Sequence, residues 1–385
     1  MAIEREFQFY FSGDLYKLGK KFYGGNTMTW LLLVVGLVLL VVGADLLIKG
    51  AARLASNFGV PALVIGLTVV AFGTSAPELA VSVKAAYAGQ AELAIANVVG
   101  SNIFNVLVIL GIAAMISPLI ISHQLIRQDV PIMVGITIVA VIMTQDGSIN
   151  KLEAGILALG LVAYTWFLFY QGKQKGVDVS DGEVEEMLNA NVPVWQNVLL
   201  VIGGLVLLVM GARWLVQSAV ELATAWGVNE AVIGLTIVAA GTSLPEVVTS
   251  VVATIRGQRD IAVGNVVGSN IFNILCVLGI SGLVSPMPLL AGEQLANIDI
   301  PVMLAVAALC VPVFFIGSVL NRFEGFLFLA LYVAYVWILI AMALSLDYLA
   351  QLQTAVVYGL VPFVVLYVVV ALGLDLYKRR TLPKS

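Results

Sequence analysis

Apolar residues fall in long stretches along this chain, and polar residues gather in the short gaps between them. Stretches of about the length a hydrocarbon core requires centre at 29–50, 60–86, 93–117, 128–145, 151–170, 195–216, 230–255, 261–285, 298–317, 322–345 and 354–376, which predicts eleven membrane-spanning helices. One gap is much longer than the rest. "QGKQKGVDVSDGEVEEMLNANVPV" is polar and acidic, and it reads as a solvent loop and the one true linker. The expected organisation is a polar leader (1–28), a first five-helix unit (29–171), an acidic loop (172–194), a second five-helix unit (195–345), and a further helix with a basic tail (346–385).

Composition sharpens the class. With 61% hydrophobic residues, 11% charged residues and a mean hydropathy of +1.04, the chain lacks the polar surface that a soluble globule needs. It is expected to be an all-α polytopic membrane protein with the lipid bilayer as its main surroundings. The net charge of -4 names no partner, and no basic patch points to nucleic acid. Cys276 and Cys310 both lie in apolar stretches and read as small buried hydrophobes. The lone His123 lies in a connection, so histidine metal chemistry is not expected.

The two halves repeat. A shift of 168 positions aligns residues 36–111 with 204–279 without a gap, and about 44 of those 76 pairs are identical. "GLTVVAFGTSAPE" answers "GLTIVAAGTSLPE", and "NVVGSNIFN" at 97–105 recurs unchanged at 265–273. Five spans, an odd number, separate one copy from the next, so the second copy must cross in the opposite direction. The fold expected is two inverted five-helix repeats plus one extra C-terminal helix. If the first span starts outside, Lys49, Arg53, Arg127, Lys173, Arg256, Arg259, Arg322 and the "KRR" tail fall inside, against Lys84, Lys151 and Arg213 outside. Arg5, Lys17, Lys20 and Lys21 of the leader argue the other way. The balance favours an outer N-terminus and a cytoplasmic C-terminus.

Against this background Glu78 is out of place, because a carboxylate at mid-bilayer costs ~2.5–3.5 kcal/mol even on the lenient insertion scale. The chain repeats it at the matched position, Glu246. Ala71, Ser75, Glu78 and Ser82 follow the 4-3-4 spacing of one helix face, with Thr74 one turn before the glutamate. Asn97, Ser101 and Asn105 share a face of the next span. The second half supplies Ala239, Thr242, Ser243, Glu246 and Ser250, with Asn265, Ser269 and Asn273. Pro77 and Pro245 interrupt the ladder, and this is expected to free carbonyls near Ala71 and Ala239. Carboxylate, hydroxyl, amide and backbone oxygens are what hard cations such as Ca²⁺ and Na⁺ select. For any single Ser, Thr or Asn, helix packing is an equally good reading. Asp45, matched by Arg213, reads as an interfacial charge.

At these residues the chain resembles the cation/calcium exchanger superfamily, in particular its prokaryotic sodium/calcium exchanger branch. The resemblance covers the ten spans of the two halves and centres on "GTSAPE" and "GTSLPE", each followed by "ANVVGSN" or "GNVVGSN". It implies a central Ca²⁺ site from Glu78, Glu246 and the Thr74 and Thr242 backbone. Flanking Na⁺ sites would use Ser75, Ser243, Ser101, Ser269 and the Ala71 and Ala239 carbonyls. Asn105 and Asn273 stand where many relatives carry one aspartate, which puts any potassium requirement in question. The eleventh span exceeds the ten of simpler prokaryotic relatives. The implied activity is Na⁺/Ca²⁺ antiport across the inner membrane, about three Na⁺ per Ca²⁺, with no enzyme activity and no resident cofactor.

Calcium/proton exchange is the alternative within the superfamily. A passive cation channel could use carboxylate rings, but broken helices in inverted repeats are the mark of alternating access. An intramembrane hydrolase would need a nucleophile with its base, and would not need the whole site twice.

Overall fold

A computed structural model of the chain describes residues 26–175 and 193–381, which are almost entirely helical. Residues 1–25 of the expected leader and 176–192 of the acidic loop lie outside the described residues. The first half comprises α1 (Asn26–Phe58), α2 (Ala62–Thr74), α3 (Ala76–Tyr87), α4 (Ala91–Ile116), α5 (Leu125–Met143) and α6 (Lys151–Lys175). The second comprises α7 (Val194–Ala225), α8 (230–241), α9 (Leu244–Ile255), α10 (Arg259–Val284), α11 (Leu295–Phe315) and α12 (Arg322–Ala343); α13 (349–381) follows. Among the described residues nine helices are long and apolar enough to cross a membrane, and α2 with α3, bent by 46° at Ser75, makes a tenth crossing. The pair α8 and α9 is the matching broken span of the second half.

Four two-residue strands in the connections establish the inversion. β1 (Leu119–Ile120), after α4, pairs antiparallel with β4 (Val319–Leu320), after α11; β2 (Ser148–Ile149), after α5, pairs with β3 (Leu289–Leu290), after α10. Paired strands must lie on the same side of the membrane. Six crossings separate β1 from β4 and four separate β2 from β3, provided each broken pair crosses once, so both counts are even. β1 and its repeat counterpart β3 thus lie on opposite sides, as inverted repeats require.

The halves interleave rather than sit side by side. Gly111 of α4 meets Gly325 of α12, where an added Cβ would lie 3.1 Å from the Gly325 carbonyl oxygen, and Gly279 of α10 meets Ala158 of α6, 2.8 Å from its nitrogen. This places α4 and α10 inside the bundle. In their most apolar windows 72% and 89% of residues are buried, against 11% in α13.

The longest seam joins α1 and α7. An added Cβ on Gly36 would lie 2.9 Å from the Gly211 oxygen, on Gly43 2.8 Å from the Gly204 oxygen, and on Gly50 2.9 Å from the Asn197 oxygen. These pairs sum to a constant, the register of an antiparallel pair, and they recur every seven residues. Without side chains at these points the two backbones touch, and dispersion between small residues is the main force that joins helices in lipid. Asn197 Nδ2 adds a hydrogen bond to Asn57 Oδ1 at 2.8 Å.

The α1–α7 seam makes a direct prediction. Gly204→Ala would drive a methyl group to within 2.7 Å of the Gly43 oxygen, whereas Gly203, one residue earlier, has nothing within 4 Å. Overpacking of this kind costs about 1–3 kcal/mol. Thermal unfolding of the detergent-solubilised protein should show a lowered midpoint for Gly204→Ala and an unchanged one for Gly203→Ala.

Candidate ion-binding site

The two broken spans explain where the glutamates come to rest. Pro77 and Pro245 do not kink continuous helices. They occupy the first turn of new ones, α3 and α9, where a missing N–H is no loss. Ser75 (φ -80, ψ 6) and Ser243 (φ -87, ψ 5) leave helical geometry just before, and Glu78 and Glu246 fall in the first turn after. Each carboxylate therefore sits at a helix N-terminus, the positive end of the helix dipole.

The expectation that the break frees the Ala71 carbonyl is corrected. That oxygen accepts the Ser75 N–H at 3.0 Å and the Thr74 hydroxyl at 3.3 Å. The physical reason is position: the carbonyl that Pro77 deprives of a helical donor lies four residues earlier, at Gly73, and a capping backbone N–H takes it up.

Glu78 and Glu246 are both fully buried, and each is held by the opposite half. Ser243 Oγ donates to Glu78 Oε1 at 3.0 Å, and Ser75 Oγ donates to Glu246 Oε1 at 3.0 Å. Ser101 Oγ lies 3.5 Å from Glu78 Oε1 and 3.2 Å from Ser243 Oγ. Thr74 stands beside Glu246 and Thr242 beside Glu78. The second oxygen of each carboxylate, Oε2, is buried without a hydrogen-bond donor, as are Asn105 Oδ1, Asn273 Oδ1 and the Ser269 hydroxyl. Ionised carboxylate oxygens left without donors are costly in a protein interior, and a bound cation would satisfy them. Among the described residues no group of three His, Cys, Asp or Glu side chains could hold a metal. The groups gathered here are two carboxylates and neutral oxygens, the donor types that Ca²⁺ and Na⁺ select.

Behind these groups, Asn97 Nδ2 donates to Ser82 Oγ (2.9 Å) and the Glu78 carbonyl (3.2 Å), and Asn265 Nδ2 donates to Ser250 Oγ (3.0 Å) and the Glu246 carbonyl (3.4 Å). Asn97 and Asn265 thus brace the carboxylate-bearing turns from α4 and α10.

The repeats match in sequence but not in conformation. On α2 and α10 the backbones meet: an added Cβ on Gly66 would lie 3.2 Å from Ile261 Cα, and one on Gly268 would lie 2.8 Å from both Leu67 Cα and Ala71 Cβ. Thr74 Oγ1 bonds Asn265 Oδ1 across this contact at 3.1 Å. The counterpart glycines, Gly234 on α8 and Gly100 on α4, have nothing within 4 Å. Among the described residues the matching bond from Thr242 to Asn97 is not made, and Thr242 is only half-buried. Ala71 is buried and Ala239 is exposed, the one predicted ligand position that is. The helices are packed together on the face where α2 and α10 begin, the sealed side, and the matching contact is not made on the face where α4 and α8 begin, the open side. On the sealed side Asp45 of α1 forms ion pairs with Lys49 (2.9 Å) and with Arg256 at the end of α9.

Sequence reasoning missed four groups. Asn102 and Asn270 are buried at the centre, each one residue beyond a predicted serine. Asp129 and Asp299 are buried acids at the starts of α5 and α11, satisfied by Gln124 (3.1 Å) and Gln128 (3.3 Å), and by Tyr335 (2.7 Å) and Gln294 (3.4 Å). A signal for the aspartates was present in "DVP" and "DIP", but these lie 170 apart, beyond the gapless 168-residue register.

A family model described as sodium/calcium exchanger protein matches residues 28–170 and 196–341, covering both halves. The sodium/calcium exchanger MaX1 of Methanosarcina acetivorans is 35% identical over 351 residues, spanning 81% of this chain and 99% of that protein. The inner membrane protein YrbG of Escherichia coli K12 is 38% identical over 265 residues, 66% of this chain and 79% of that one. Solved structures of the sodium-calcium exchanger NCX_Mj superpose with a TM-score of 0.69 at 32% identity, covering 82% of this chain and 98% of the other. Because both repeats, with the glutamates at their centres, fall within that family model and the fold recurs in a solved member, the chain belongs to the sodium/calcium exchanger family and is a multi-pass cation/Ca²⁺ antiporter.

Proposed function

We propose that the protein exchanges Na⁺ for Ca²⁺ across a prokaryotic inner membrane by alternating access, with three Na⁺ moving against each Ca²⁺. The observation that carries this reading is the pair of fully buried glutamates, each bonded on one oxygen by the other half's serine and without a donor on the other. Two carboxylates match the charge of one Ca²⁺. Glu78→Gln or Glu246→Gln leaves one charge against two. Either change should lower Ca²⁺ exchange by proteoliposomes at least a hundredfold, and near wild-type exchange by either variant would refute the central site.

Charge counting makes the exchange electrogenic. A site of charge minus two is neutral with one Ca²⁺ and plus one with three Na⁺, so each cycle moves one net charge. Across a tenfold gradient three Na⁺ contribute about 4 kcal/mol, and one charge crossing 100 mV adds ~2.3 kcal/mol. In Na⁺-loaded proteoliposomes an inside-positive K⁺/valinomycin potential should accelerate Ca²⁺ uptake, because that mode carries positive charge outward. Indifference to voltage would rule out three-for-one exchange in favour of an electroneutral exchange for two Na⁺ or two protons; Ca²⁺ uptake driven by a pH gradient without Na⁺ would single out the protons.

The unequal glycine contacts support the alternating-access part. With the N-terminus outside, as the Lys and Arg distribution favours, the open face is the outer one. Closing it would pack Gly100 against Ala239 as Gly268 now packs against Ala71. A methyl group on Gly100 fits the present arrangement and obstructs the other. Gly100→Ala should keep Ca²⁺ affinity within about twofold, slow exchange about tenfold or more, and leave a cysteine placed at Ala239 reactive to an external thiol reagent under all ion conditions. Wild-type exchange by Gly100→Ala would remove the symmetry-related closure.

A further inference from the structure

Asn102 of α4 and Asn270 of α10 meet across the boundary between the halves. Each is buried, and each donates its Nδ2–H to the other's backbone carbonyl, at 3.3 Å in both directions. Asn102 Nδ2 also lies 3.7 Å from Met303 Sδ. A carbonyl oxygen can only accept, so these contacts dictate which end of each amide is nitrogen. Each Oδ1 then faces away and meets a donor: Asn102 Oδ1 accepts from Asn273 Nδ2 at 3.0 Å, and Asn270 Oδ1 accepts from Asn105 Nδ2 at 3.1 Å. The constraint passes along the chain of amides. With their nitrogens engaged, Asn105 and Asn273 each retain an oxygen that is buried and without a donor. Both residues stand one turn beyond Ser101 and Ser269, on the face that carries the predicted ligands.

We propose that Asn102 and Asn270 are positioning residues of the ion site, acting crosswise so that Asn273 and Asn105 present oxygen rather than N–H to the cation. A carboxamide turned the other way would set two donors against a positive ion and lose a ligand. The arrangement also selects for neutrality at these positions. An ionised aspartate at 105 or 273 has no N–H to offer, and two acceptors would face one another across the boundary. The proposal rests on the reading that Glu78 and Glu246 hold the transported cations.

A double-mutant cycle on the full-length protein in proteoliposomes tests it, read as the half-saturating concentrations of Na⁺ and of Ca²⁺. Asn102→Leu and Asn273→Ala should each raise at least one of these about tenfold, and the double variant should rise no further than either single one. Combined with Asn105→Ala instead, Asn102→Leu should act additively. A packing defect would not distinguish Asn273 from Asn105, so equal coupling to both, or additivity with Asn273, overturns the proposal. If Asn102→Leu does not yield folded protein by size-exclusion chromatography, the twofold-related cycle of Asn270→Leu with Asn105→Ala replaces it. Loss of folded protein in both arms assigns the amides to packing and overturns the proposal. If Na⁺ proves not to drive transport, that reading fails separately, because the cycle is then decided on Ca²⁺ alone.

Discussion

Two carboxylates are held at the centre of an apolar bundle, and much of the architecture is a response to that burial. An ionised group there needs local dipoles, hydrogen bonds and a counter-charge. The broken spans supply the dipoles by starting a new helix just before each glutamate. The serines supply the hydrogen bonds, each from the opposite half, Ser243 to Glu78 and Ser75 to Glu246. The closest serine to each carboxylate comes from the opposite half, with Ser101 of Glu78's own half farther away at 3.5 Å, so the full set of contacts exists only where the repeats meet. This gives a physical reason for the interleaved topology, in which α4 packs on α12 and α10 on α6 and the two inverted copies are locked face to face.

Inverted repeats with nearly the same sequence could settle into one symmetric structure. This chain does not, because the same glycine contacts cannot serve both faces at once while leaving a path to the site. Gly66 and Gly268 are packed while Gly234 and Gly100 are open, and the Thr74–Asn265 bond exists without its counterpart. One set of contacts available twice is what the proposed alternation between two states would require. The Asp45–Arg256 ion pair stands outside this symmetry, since Arg213 and Ala88 occupy the matched positions. It adds to the sealed side an attraction between α1 and the end of α9 that the residues at the matched positions cannot make.

The hydrophobic pattern carried the fold a long way. Long apolar runs gave the crossings, the odd spacing of the repeats gave their inversion, and the paired glutamates gave the centre of the site, because each of these is a one-dimensional property. Features that depend on direction and conformation stayed hidden. The backbone break was placed at the prolines, whereas helix geometry puts it at Ser75 and Ser243, and the prolines occupy the first turns of α3 and α9. Asn102 and Asn270 were concealed inside a motif read for its serine, since the order of residues alone does not say which side of a helix faces the other repeat. The difference between Ala71 and Ala239 could not have been read at all: their neighbours along the chain are nearly the same, and only the conformation separates them.

The crossed serines also bear on how the proposed exchange would be made obligatory. Each hydroxyl donates one hydrogen to one carboxylate oxygen, which eases the burial of a negative charge without cancelling it. The other oxygen of each glutamate is buried without a donor, so an empty site with both groups ionised would hold two negative charges in surroundings that solvate them poorly. On the Na⁺/Ca²⁺ reading proposed above, moving such a site past the apolar contacts of α2, α8, α4 and α10 would be unfavourable, whereas a site carrying Ca²⁺ or its Na⁺ replacement would be neutral or close to it. A fully hydrogen-bonded pair of glutamates would weaken this distinction and let the carrier return empty. On that reading, leaving two oxygens unsatisfied is a condition for coupling one ion's movement to the other's, and the stability it costs would be recovered when a cation is bound.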